Sequence, residues 1–117
     1  MSNSAPQEGR GLKRHAIETV VDVYDANQGL RLGRLANIHV EGLMVMGSAG
    51  MQADYVYQLE LRLPNPINGT DSIQLGADCL WVRNSEDSAL CWAGCQIIDL
   101  SAAARQQIEI LVQQMGD

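Results

Sequence analysis

Over residues 54–63 the side chains alternate without a break. Tyr55, Tyr57, Leu59, Leu61 and Leu63 fall on one side, and Asp54, Val56, Gln58, Glu60 and Arg62 on the other. Only an extended chain, whose successive side chains point to opposite faces, turns that spacing into a half-buried surface. A helix would scatter the same residues around its circumference. The segment therefore specifies a strand, and a strand needs partners for its two edges.

Candidate partners lie on both sides of it. Ile17, Thr19, Val21 and Val23 alternate with Glu18, Val20, Asp22 and Tyr24, which predicts a first strand over 17–24, ended by the turn residues DANQG at 25–29. Leu30, Leu32, Leu35, Ile38 and Val40 mark a second strand, bent near Gly33, and 43–46 a third, broken by GSAG at 47–50. PNPINGTD (64–71) reads as a loop. A fifth strand over 72–82 carries Ile73, Leu75, Ala77, Cys79 and Trp81 on one face, and a sixth covers 89–98 after RNSED at 83–87. Beyond Leu100 the period changes. Ala103, Ile108, Leu111, Val112 and Met115 recur at helical spacing, with Ser101 placed as N-cap. Six short antiparallel strands and a terminal helix point to an all-β barrel or sandwich, architectures that manage exposed edges. The helix stripe packs as core or serves a homodimer. Its polar face carries too few cations for a membrane anchor.

A chain of 117 residues is long enough for one domain with a core of its own. Residues 1–9 (MSNSAPQEG) read as a disordered tail, leaving 10–117 as the folded unit. The net charge of −6 is uneven. Residues 1–34 hold five basic side chains against four acidic ones, whereas 35–117 hold three against ten. An acidic whole disfavours nucleic-acid polymers and anionic membranes, but its concentrated basic minority still suits one discrete anion. Cys79, Cys91 and Cys95 do not have the spacing of a zinc site and read as buried, reduced thiols, which with no visible signal peptide or membrane span gives a cytoplasmic expectation. No nucleophile, metalloprotease or phosphate-loop motif occurs, so binding is favoured over catalysis and no cofactor is expected.

Two short patterns remain: Arg10-x-x-x-Arg14 ahead of the first strand, and Asn37-x-His39-x-x-Gly42 between the second and third. Together with the strand order and the helix they resemble the PilZ family, whose binding pattern is R-x-x-x-R followed by D/N-x-S-x-x-G. Arg14 and Asn37 are 23 positions apart, as in the family, and His39 stands at the family's serine. The likeness continues in Ala77-Asp-Cys-Leu-Trp81 and in Gly94-Cys-Gln-Ile97 with Asp99 and Leu100, so it covers roughly 10–115.

The resemblance implies a bacterial, non-catalytic six-stranded barrel with a C-terminal helix. It also implies a receptor for cyclic di-GMP that signals to a protein partner. Arg10 and Arg14 would meet phosphate or the guanine O6/N7 edge, Asn37 and His39 the other guanine edge, and Gly42 would let the backbone come close, with Lys13 and Arg34 as additional contacts. A second alignment pairs Lys13 and Ile17 with the arginine positions and degrades the motif. It goes with a nucleotide-independent adaptor that binds a protein partner. Arg31 and Arg34 are expected to face solvent, and Trp81 and Trp92 are assigned to core and interface rather than to base stacking.

Overall fold

A computed structural model of the chain describes residues 19–47, 50–85 and 90–116. The tail at 1–9, the basic segment at 10–14 and the start of the first expected strand lie outside the described residues. Six strands are formed: β1 (Asp22–Asp25), β2 (Leu30–Ile38), β3 (Gly42–Gly47), β4 (Tyr55–Ile67), β5 (Thr70–Asn84) and β6 (Cys91–Asp99), followed by one helix, α1 (Ala102–Gly116). All pairings are antiparallel, and the order β1-β2-β3-β6-β5-β4 closes into a barrel. Closure depends on the four residues of β1, which pair with β2 on one side and with β4 on the other. A closed sheet leaves no edge to template aggregation.

The alternation seen in the sequence sorts residues as a barrel requires. Val21, Val23, Leu59, Leu61 and Ile73 are almost fully buried inside, while Arg62, Gln58 and Gln74 point outward. Each such aliphatic side chain contributes about 1.5–3 kcal/mol when removed from water. The helix closes one end. Ile108 and Leu111 are wholly buried, Ala104 nearly so, and the buried Gln107 Nε2 donates to the Ile67 carbonyl at 3.3 Å. Ser101 caps the helix as its residue type predicts, its Oγ accepting from the Ala104 N–H at 3.0 Å.

Several sequence expectations need correction. The segment 64–71 is not a loop: β4 runs on to Ile67 and β5 starts at Thr70, joined by Asn68 (φ 53) and Gly69 (φ 79). Two consecutive left-handed residues make the tight hairpin turn that an Asn-Gly pair favours. The prolines are tolerated because pairing skips from Arg62↔Ser72 to Ile67↔Thr70, so Pro64 and Pro66, which have no N–H, sit where no ladder bond is asked of them. The first strand is also shorter than expected, since Thr19 to Val21 make no strand although Val21 is buried. Arg31 and Arg34 are both exposed, and Arg31 forms an ion pair with Asp22 at 2.8 Å.

Candidate ligand-binding site

The outer wall formed by β2, β3, β6 and β5 carries the residues of interest. Cross-strand register places Asn37 opposite Met44, Met44 opposite Gly94, and Gly94 opposite Trp81, so these four form one row across the wall. Both ends of the row depend on a bulge. Between Leu35 and Asn37 strand β2 advances two residues while β3 advances one, and between Cys79 and Trp81 strand β5 does the same against β6. Ala36 and Leu80 are the extra residues, and each bulge turns two consecutive side chains outward. Leu35 and Ile38 are buried with Ala36 and Asn37 exposed between them. Cys79 is buried, whereas Leu80 and Trp81 are 51% and 38% exposed.

Trp81 therefore faces outward, a correction to its expected place on the inner face with Cys79. The bulge breaks the period of two at Leu80, and nothing in the side chains of that stretch announces it. The indole lies against Gly94, where a Cβ would overlap the ring. Glycine at that one position lets an aromatic side chain pack down onto the sheet.

Below this row the connection from β2 to β3 is held at both ends. The His39 N–H donates to the Gly42 carbonyl at 2.8 Å, and the Ile97 N–H donates to the Glu41 carbonyl at 2.9 Å, tying the turn to β6. Asn37, His39 and Gly42 thus come together around a hollow of about 240 Å³ whose other walls include Met44, Leu80, Trp81 and Gly94. A larger cleft of about 1020 Å³ adjoins it between this turn and α1, sharing His39, Gly42, Leu80 and Cys95 and adding Glu41, Gln96, Glu109 and Gln113. Arg34 stands outside both, on the next row of the wall. Arg10, Lys13 and Arg14 lie outside the described residues.

Cys95 is the one thiol in the floor of both hollows. Burial pushes it up to about 12, with the neighbouring Cys79 adding to the effect, and burial raises Cys79 as well. A thiol held protonated through the neutral range supplies no nucleophile. Cys91 departs from the expected burial, being only half-buried with its thiol 2.9 Å from the Asn84 Oδ1. No helix among the described residues is long and apolar enough to cross a membrane.

The sequence profile of the PilZ domain matches residues 8–114. The chain belongs to the PilZ family. Solved structures agree on the fold. A Bacillus subtilis inhibitor of motility (MotI/DgrA) superposes with a TM-score of 0.62 at 19% identity over 82% of this chain. The PilZ domain with c-di-GMP of YcgR from Escherichia coli superposes with a TM-score of 0.59 at 10% identity, over 84% of this chain and 82% of that one. The chain spans less than half of the Bacillus protein, 46% of its length. No curated protein matches the sequence. Within this PilZ chain, Asn37, His39 and Gly42 lie together at the connection from β2 to β3.

Proposed function

We propose that this PilZ chain is a non-catalytic receptor for cyclic di-GMP, which it binds on the wall formed by β2, β3, β6 and β5 and reports to a protein partner in the bacterial cytoplasm. The observation that carries the reading is the convergence of Asn37, His39, Gly42 and the outward Trp81 on one hollow. Amide and imidazole suit the hydrogen-bonding edges of a purine, and an exposed indole suits its face. The course of the described chain supports the motif arginines as further contacts there. β1 is antiparallel to β2 and the Val21 carbonyl accepts from the Leu35 N–H, so the chain upstream of Asp22 heads toward the Asn37 end of β2. Arg14 stands five positions before Thr19, a reach of up to about 17 Å when extended, which supports Arg14, and Arg10 beyond it, as contacts of the wall.

Calorimetric titration of the full chain with cyclic di-GMP tests this. Saturable binding is expected, weakened about thirtyfold in Arg14→Ala, the equivalent of about 2 kcal/mol for one charge-assisted contact. Asn37→Ala should weaken it as well. No heat at tens of micromolar protein, or an Arg14→Ala variant equal to the parent, defeats the proposal.

The alternative, an adaptor that binds its partner without nucleotide, draws on the exposed Leu80 beside Trp81 and on His39 at the serine position. A partner retained by the Arg10→Ala/Arg14→Ala double variant supports the adaptor, and one lost with the arginines supports the receptor.

A further inference from the structure

One row along the wall from Asn37, Met44, Gly94 and Trp81 lies a second cross-strand row: Arg34 opposite Met46, Met46 opposite Trp92, and Trp92 opposite Arg83. Inward-facing Ala93, Val45 and Leu35 separate the two rows along their strands, so both face outward. Two arginines thus flank a strip of methionine and tryptophan on the outside of an acidic protein. Among the described residues the ion pairs are Arg31 with Asp22 and Arg62 with Glu60, and neither Arg34 nor Arg83 has a carboxylate partner. Arg83 instead places its guanidinium over the Trp81 ring, 5.5 Å from the centroid.

That placement constrains anything that stacks on Trp81. One side of the indole is taken by Gly94, and Arg83 stands over the ring. A planar ligand reaching the indole face must displace the guanidinium or slide beneath it. A guanidinium–purine–indole stack needs about 7 Å between the outer two planes, twice the base-stacking repeat of about 3.4 Å. The guanidinium carbon is 5.5 Å from the ring centroid, on a flexible side chain that can swing outward to open that space. Guanidinium is a planar cation that stacks on aromatic faces and pairs with phosphate in a fork, so it gains both contacts by closing over a nucleotide.

Resting on the receptor reading, we propose that Arg83 is a nucleotide-binding residue. Its guanidinium moves from the Trp81 ring onto the purine stacked there, and Arg34 supplies a second cation at the far edge of the strip. The folded barrel then carries cationic contacts of its own in addition to those of Arg10 and Arg14.

The test is calorimetric titration of cyclic di-GMP into the full chain and into Arg83→Ala, Arg83→Lys, Arg34→Ala and Arg62→Ala. Arg62 is the matched control. It too is an exposed arginine over an aromatic ring, 3.7 Å from the centroid of Tyr24, but it lies on β4, outside the wall. Expected are a loss of about tenfold or more for Arg83→Ala, a smaller loss for Arg34→Ala, and parental affinity for Arg62→Ala. Arg83→Lys should bind more weakly than the parent because it keeps the charge but not the plane. Arg83→Ala matching Arg62→Ala, or Arg83→Lys matching the parent, overturns the inference while leaving the receptor reading intact. A parent chain that does not bind cyclic di-GMP overturns both.

Discussion

At the scale of single residues, Cys79 and Cys95 illustrate how much a barrel interior does to an ordinary side chain. They are cross-strand partners, both buried, and burial pushes the Cys95 thiol up to about 12. Tyr57 is raised from 10.0 by the same cause. In the unfolded chain a cysteine loses its proton near pH 8.5, roughly. The folded state holds the proton longer, so the stabilisation is complete below that value and is lost as pH climbs toward the folded value. Thermal midpoints measured at pH 7.5, 9 and 10 should fall progressively, and the fall should be smaller in Cys95→Ala, compared with its own midpoint at pH 7.5. A flat profile across that range would show that burial does not hold the thiol protonated. The same buried thiols were legible in the sequence as an odd set of cysteines in apolar stretches. The exposure of Cys91 was not, because it depends on where the β5–β6 hairpin ends.

Whole elements were easier to read than their edges. The strict alternation over 54–63 and the helical spacing after Leu100 leave little choice of secondary structure, and both elements formed where those patterns lie. Errors gathered where a strand departs from regular pairing. The prolines at 64 and 66 suggest a loop, yet a skipped stretch of ladder accommodates them and the Asn-Gly pair beyond them closes the hairpin. Gly69 bears that turn at φ 79, with open space around the position of a side chain. Gly69→Ala should therefore cost about 1 kcal/mol through backbone strain alone. In urea this would appear as a lower midpoint with an unchanged slope. The proposed binding wall was half legible for a related reason: Asn37, His39 and Gly42 stand out by residue type and spacing, whereas Trp81 and Arg83 acquire their place only through pairing with β6.

For the whole molecule, the helix is as much a part of the barrel as any strand. Ile108 and Leu111 are wholly buried at its end, and Gln107 fastens the helix to the carbonyl of Ile67 at the tip of the longest hairpin. Truncating a plug residue should destabilise everything at once. Leu111→Ala is expected to cost about 3 kcal/mol, with helix and sheet signals lost in one transition. Separate melting of helix and sheet would show that α1 is an appendage. The acidic net charge belongs to this scale as well. Against a field that repels polyanions, local cations such as Arg34 and Arg83 matter more for a small anion than their number suggests.

The bulges at Ala36 and Leu80 make the outer wall depend on residue number as well as residue type. Swapping side chains along β2 or β5 changes what the wall offers, whereas removing the extra residue at either point would restore plain alternation, keep Asn37 or Trp81 outward and take away the outward side chain beside it. Leu80 is the larger loss of the two, because it lines both hollows beside Trp81.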